Sequence, residues 1–252
     1  MSQKPLIVGN WKMHGTISEA LKRITAITRK TENTSGLDVV LAPPFTALYS
    51  VSVALQDLPI KLGAQNVHWE TEGPYTGEIA AAFLKDVGCD YVIIGHSERR
   101  TLFKEDDEMI NKKVRAALAA DLDVLMCIGE TESERNENKT FSRLEEQLSE
   151  GLRELHVHDL EGFSIAYEPV WAIGTGKNAT GGQIAEVHDW IRNYLAKNFD
   201  APTANNTRLL YGGSVKQENA AEILKVHNVD GVLVGGASLD ADEFVNIMNA
   251  AL

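Results

Sequence analysis

Glu168 closes the short apolar run Ser164-Ile165-Ala166-Tyr167 and is followed by Pro169-Val170-Trp171-Ala172-Ile173-Gly174-Thr175-Gly176-Lys177, which is apolar and glycine-rich. This is how a catalytic base beneath a lid is built. Pro169 cannot donate into a continuing ladder, and the glycines permit backbone angles that other residues resist. The segment also reads as a solvated strand end held down by Trp171 and Ile173, so the rest of the chain has to decide. Other residues capable of chemistry also follow apolar runs: Asn10-Trp11-Lys12, Gln65-Asn66, Gly95-His96-Ser97-Glu98, Gly212-Gly213-Ser214 and Gly235-Gly236.

His96 has only Glu98 near it at ligand spacing, and a lone His-x-Glu makes a poor metal site. Ser97-Glu98-Arg99-Arg100 reads as a helix start, and a helix amino terminus disfavours imidazolium, which leaves a neutral ring able to donate to a carbonyl or a satisfied structural histidine. Lys12, flanked by Asn10 and Trp11, reads as a fixed cation in preference to a Schiff-base or surface lysine. Glu98 is either a partner of Lys12 or proton relay, or only a first-turn helix acid. Asn10 is a polar donor or a strand-end turn residue. Together they describe removal of a proton beside a carbonyl: Glu168 as base, His96 as polarising acid and Lys12 as stabiliser. No cofactor and no metal are required.

These residues need elements to converge them. Apolar runs at Leu6-Val8, Val39-Ala42, Ile60-Ala64, Tyr91-Ile94, Val124-Ile128, Ser164-Tyr167, Arg208-Tyr211 and Gly231-Val234 read as about eight strands. Helical spacing falls between them, as in Leu21, Ile24 and Ile27 after a capping box at Thr16 to Glu19, in Phe141, Leu144, Leu148, Leu152 and Leu155, and in Ile184, Val187, Ile191 and Leu195. Continuous apolar strands alternating with helices predict a parallel sheet covered on both faces. A closed (β/α)8 TIM barrel spanning residues 1–252 as one domain is expected, with an open doubly wound sheet as the alternative. In such a barrel active sites lie at the carboxyl ends of the strands, and loops seven and eight recurrently hold phosphate. The pairs Gly212-Gly213 and Gly235-Gly236, either of which taken singly reads equally as a turn, together with a helix start near Ala237 fit an anion cradle. The polar stretch Glu130 to Lys139 reads as a solvated excursion.

The chain has 252 residues, 44% of them hydrophobic, and a formal net charge of −12, which opposes binding to nucleic acid or to an anionic membrane surface. An anionic substrate therefore needs a local positive field. Cys89 and Cys127 sit in or beside apolar runs, away from metal-ligand spacing, and nothing before Leu6 resembles a signal peptide, so a cytoplasmic location is expected. No apolar run approaches the roughly 20 residues of a membrane span.

The motifs Asn10-Trp11-Lys12-Met13, Gly63-Ala64-Gln65-Asn66, Gly95-His96-Ser97-Glu98-Arg99-Arg100, Tyr167-Glu168-Pro169-Val170-Trp171-Ala172-Ile173-Gly174, Tyr211-Gly212-Gly213-Ser214-Val215 and Val234-Gly235-Gly236-Ala237 occur in the order shown by the triosephosphate isomerase family, which the chain resembles from Leu6 to its carboxyl terminus. The resemblance implies interconversion of dihydroxyacetone phosphate and D-glyceraldehyde 3-phosphate through an enediol(ate), without a cofactor. It assigns Glu168 as the base, His96 as the electrophile, Asn10 and Lys12 as substrate contacts, and Gly174, Ser214, Gly235 and Gly236 as phosphate contacts. The lid would run from Pro169 to Lys177. It also implies a homodimer in which the loop Val67 to Ile79 docks beside the neighbour's site, bringing Thr76 near its Asn10 and His96. One departure is His14, where bacterial members often carry asparagine; it leaves the chemistry alone and sets a titrating side chain at the expected interface. An aldolase needs a reactive lysine inside its barrel, where this chain has Glu168. A catalytically silent barrel would be expected to have lost the base, the electrophile or the lid.

Overall fold

Strand β1 (Leu6–Asn10) pairs in parallel with β2 (Asp38–Ala42) on one side and with β8 (Gly231–Val234) on the other, and the second pairing closes the sheet. Between them run β3 (Lys61–Ala64), β4 (Tyr91–Ile94), β5 (Asp123–Ile128), β6 (Phe163–Tyr167) and β7 (Arg208–Tyr211), each hydrogen-bonded to its sequence neighbours in a closed barrel. The computed structural model describes residues 3–31 and 34–252. Closure rules out the open doubly wound sheet. The strands fall on the predicted apolar runs, with the first extended through Asn10 and the third beginning at Lys61.

Strand parity decides what fills the barrel. Side chains alternate across a strand, so Leu6 and Val8 join an inner cluster with Val40, Tyr91, Ile93, Leu125, Ala166, Leu210 and Leu233, while Ile7 packs outward with the helices. The same parity carried one step further directs Asn10, Glu168, Gly212 and Gly235 to the mouth.

The helices that cover the barrel obey local chemistry. In α1 (Ile17–Lys30) the Thr16 hydroxyl accepts the Glu19 amide while the Glu19 carboxylate accepts the Thr16 amide, the predicted capping box, and Ala20, Ile24 and Ile27 are buried. Helices α2 (Leu48–Leu55), α3 (Ala81–Asp86), α4 (Ser97–Leu102) and α5 (Asp107–Ala119) follow. The polar stretch contains α6 (Glu132–Asn136) and leads into α7 (Thr140–Gly151), which buries Leu144 and Leu148. Helix α8 (Gly181–Asn198) buries Ile184, Val187, Ile191 and Leu195 as its spacing predicted, and α9 (Ala201–Asn206) precedes β7. Helix α10 (Ala220–Ile223) lies between β7 and β8, and the predicted helix start near Ala237 is a single 3-10 turn, Gly236–Leu239, ahead of α11 (Ala241–Asn249).

Candidate active site

Asn10, Lys12, His96, Glu168, Gly174, Ser214, Gly235 and Gly236, which come from five different strand ends and the lid, line one cavity of about 430 Å³ at the barrel mouth. Sequence reasoning had named each of them, and the barrel brings all of them together.

Glu168 is 2% exposed, and close backbone approach holds it there. Its amide donates to Ile128 O at 2.7 Å, and the Gly212 amide donates to Tyr167 O at 2.8 Å. A Cβ on Gly129 would stand 1.8 Å from Glu168 O, and one on Gly212 would stand 2.9 Å from Glu168 Cγ. Glycine at these two positions is therefore the condition for the carboxylate to lie where it does. Glu168 Oε2 accepts the Ser97 amide at 2.8 Å, and Oε1 lies 3.0 Å from His96 Nε2.

His96 is the N-cap of α4, and its Nδ1 accepts the Glu98 amide at 3.2 Å. An accepting Nδ1 carries no proton, so these hydrogen bonds fit the neutral tautomer with hydrogen on Nε2. Burial pushes the His96 pKa down, whereas the adjacent Glu168 carboxylate pulls it above the ordinary imidazole value. That pull lasts while the carboxylate rests on the ring, and an imidazolium would have to give up the Glu98 amide. Burial likewise pushes the Glu168 carboxyl upward, but His96, the Ser97 amide and Lys12 outweigh it and hold the group below the ordinary carboxylate value.

Lys12 has a φ of 52°, a left-handed conformation that is uncommon for a residue with a side chain. Its amide donates to Asn10 Oδ1 at 3.0 Å, and Gln65 Nε2 donates to both Lys12 O and Ala42 O at 2.8 Å. Lys12 Nζ pairs with Glu98 Oε1 at 2.5 Å. Glu98 is thus both the first-turn acid of α4 and the ion-pair partner of Lys12.

Glu130 went unrecognised. It is fully buried, which corrects the reading of Glu130 to Lys139 as a solvated excursion. Its Oε1 accepts from Tyr167 Oη at 3.1 Å, Trp171 Nε1 at 2.9 Å and Arg135 at 2.9 Å, so its charge is paired inside the fold and tied to the lid. Cys127 also went unrecognised. Burial first, and the nearby Glu168 next, push its thiol far above the ordinary value, so a neutral SH lies behind the carboxylate. Neither residue carries a motif signal. Among the described residues no group of three or more His, Cys, Asp or Glu side chains could hold a metal ion.

Barrel and cavity define a (β/α)8 enzyme with a carboxylate–imidazole pair at the carboxyl ends of its strands. The family model described as triosephosphate isomerase matches residues 5–251. The chain belongs to the triosephosphate isomerase family. It is 51% identical over 246 residues to a triosephosphate isomerase of Geotalea uraniireducens (strain Rf4), covering 98% of each chain. It is 47% identical over 246 residues to that of Endomicrobium trichonymphae, again with 98% of both chains covered. The crystal structure of triosephosphate isomerase from Bartonella henselae superposes with a TM-score of 0.89 at 42% identity, covering 98% of this chain and 99% of that one.

Proposed function

We propose that Glu168, His96, Lys12 and Asn10 carry the reaction of this family in this chain, the cofactor-free interconversion of dihydroxyacetone phosphate and D-glyceraldehyde 3-phosphate in glycolysis and gluconeogenesis. The observation that carries the assignment is the buried Glu168–His96 pair, 3.0 Å apart, in the same cavity as Ser214, Gly235 and Gly236. Substrate entering between them replaces the contact. Glu168 then takes the proton from the carbon beside the carbonyl, and His96 Nε2–H donates to the oxygen on which charge develops. The hydroxyl proton of the neighbouring carbon passes to that oxygen by way of His96, and return of the carboxyl proton from Glu168 to the adjacent carbon completes the isomerisation. Lys12 stabilises the enediolate and Asn10 orients it. Gly174, Ser214, Gly235 and Gly236 grip the phosphate through amide and hydroxyl donors, which needs no net protein charge. The lid excludes water, which strengthens these interactions and suppresses loss of phosphate.

The chain works as a single barrel domain and as a homodimer in the cytoplasm. Support for the dimer is the apolar surface on the loops and helix after β1, β3 and β4, where Met13 is 93% exposed, Tyr75 40%, Leu102 69% and Phe103 64%. In the loop Val67 to Ile79, the rings of His68 and Trp69 stack with centroids 4.2 Å apart and Tyr75 lies 4.6 Å from His68, which stiffens the segment for docking. Among the described residues no helix is long and apolar enough to cross a membrane.

The deciding assay is turnover of D-glyceraldehyde 3-phosphate by chelator-treated protein, beside Glu168→Ala prepared identically. Metal-independent activity that vanishes in the variant supports the roles; equal activity in both removes Glu168 as the base.

A further inference from the structure

We propose that Lys216 is the capture residue for the incoming phosphate dianion, supplying the long-range attraction that the rest of the cavity lacks. The proposal rests on the reading of this cavity as the triose phosphate site.

The charged and titratable side chains lining the cavity are Lys12, His96, Glu168, Lys216 and Glu243. Lys12 is neutralised at long range by Glu98, 2.5 Å away. Glu168 and His96 face each other at 3.0 Å and leave one negative charge while the ring is neutral. Glu243, half-buried at the first turn of α11, adds another. On a chain of net charge −12, a dianion approaching this mouth meets long-range repulsion, which a cation standing free near the entrance would offset before the short-range donors act.

Lys216 fits that need. It directly follows the predicted phosphate contact Ser214 and its neighbour Val215, lines the same cavity, and makes no salt bridge among the described residues. Its backbone is fixed while its side chain is exposed. The Lys216 amide donates to Asn219 Oδ1 at 2.8 Å, and Lys216 O accepts the amides of Asn219 and Ala220 at 3.2 and 3.0 Å. The nearby Glu218 carboxylate accepts from Gln217 Nε2 at 3.1 Å. The backbone is therefore anchored at the rim, and the ammonium group, drawn through space to the exposed Glu218 carboxylate but held by no ion pair among the described residues, is left at the entrance, which suits attraction at a distance and places no demand on the reacting atoms.

A field effect has its own signature: it is large when screening is weak and disappears with salt, because the screening length falls from about 30 Å at 0.01 M to about 3 Å at 1 M. Lys216→Gln is expected to lower kcat/KM by about two- to fivefold at roughly 10 mM ionic strength, and Lys216→Glu by more, with both converging on wild type by about 0.5 M. Lys216→Arg should restore the wild-type value, and kcat should be retained throughout. Competitive inhibition by inorganic phosphate, measured on the same proteins, should weaken with the same salt dependence. Variants matching wild type in both quantities at low salt would overturn the proposal, as would losses that persist undiminished at high salt. Should wild-type protein show no turnover at all, the catalytic reading fails, and the phosphate affinities alone still decide the role of Lys216.

Discussion

The indole N–H of Trp171 donates to the buried carboxylate of Glu130 at 2.9 Å, across 41 residues of sequence, and so fastens the first turn of the lid to the end of the fifth strand. The Arg135 guanidinium lies over the same indole, 4.8 Å from its centroid, and bonds the same carboxylate. A single buried anion thus gathers a lid aromatic, a strand tyrosine and a helix cation.

Removing that anion leaves three donors without their acceptor. Glu130→Ala is expected to lower unfolding free energy by about 3 kcal/mol, the scale for breaking a buried charge pair from one side. Glu130→Gln keeps an acceptor oxygen and should cost less. Urea melts of both variants and of wild type, compared at constant m, check the order.

Glu168→Asp keeps the charge but draws the carboxylate back by one methylene. A base misplaced by about 1 Å costs on the order of a hundredfold in kcat. KM should change little, because Lys12 and the proposed phosphate contacts at Ser214, Gly235 and Gly236 are untouched. Steady-state kinetics in both directions make the test, and a wild-type kcat in this variant would remove Glu168 from the role of base.

Gln65 donates to the carbonyls of Lys12 and Ala42, so Gln65→Glu sets a carboxylate against two acceptors. Only the protonated carboxyl can donate to one of them, which raises its folded-state pKa above the unfolded value. The variant should be close to wild-type stability below the unfolded pKa of about 4.3 and should lose stability as pH rises through the folded value. Thermal or urea unfolding from about pH 4 to 8 measures the divergence, and parallel curves would contradict the account.

His188 is fully buried; its Nδ1 donates to Asn228 O at 2.8 Å, and burial depresses its pKa from 6.5 to about 4. A depressed histidine pKa favours the fold while the ring is neutral. Its contribution is complete above about pH 6.5 and is lost as pH falls toward about 4, by roughly 3 kcal/mol in all. His188→Leu, whatever its absolute stability, should show a shallower loss between those limits. Stability measured at closely spaced pH values for both proteins decides it.

The candidate site was readable because its residues sit beside elements that declare themselves locally. Apolar runs mark the strands, and parity along Leu6, Val8 and Asn10, or along Ala166 and Glu168, carries the polar residue that ends the run to the mouth of a barrel. Gly129 and Gly212 show the limit of this: neither announces a reason for being glycine until the backbone and side chain of Glu168 are found against them.

By itself, then, the chain determined its eight strands, the helices between them, a parallel sheet covered on both faces, and the identity of the residues at the strand ends, since these follow from hydrophobic period and short-range turn chemistry, whereas the β1–β8 pairing that closes the barrel was decided by the fold. Tertiary structure alone decided the pairings: Lys12 with Glu98 across 86 residues, Gln65 with the carbonyl of a strained Lys12, and Glu130 with Tyr167 and Trp171. A charged residue in a polar stretch looks solvated until its partners are placed, because burial of a charge depends on donors that arrive from elsewhere in the chain. Glu130 followed by Thr131 and Glu132 carries no local mark that the first is inside the protein and the last on its surface.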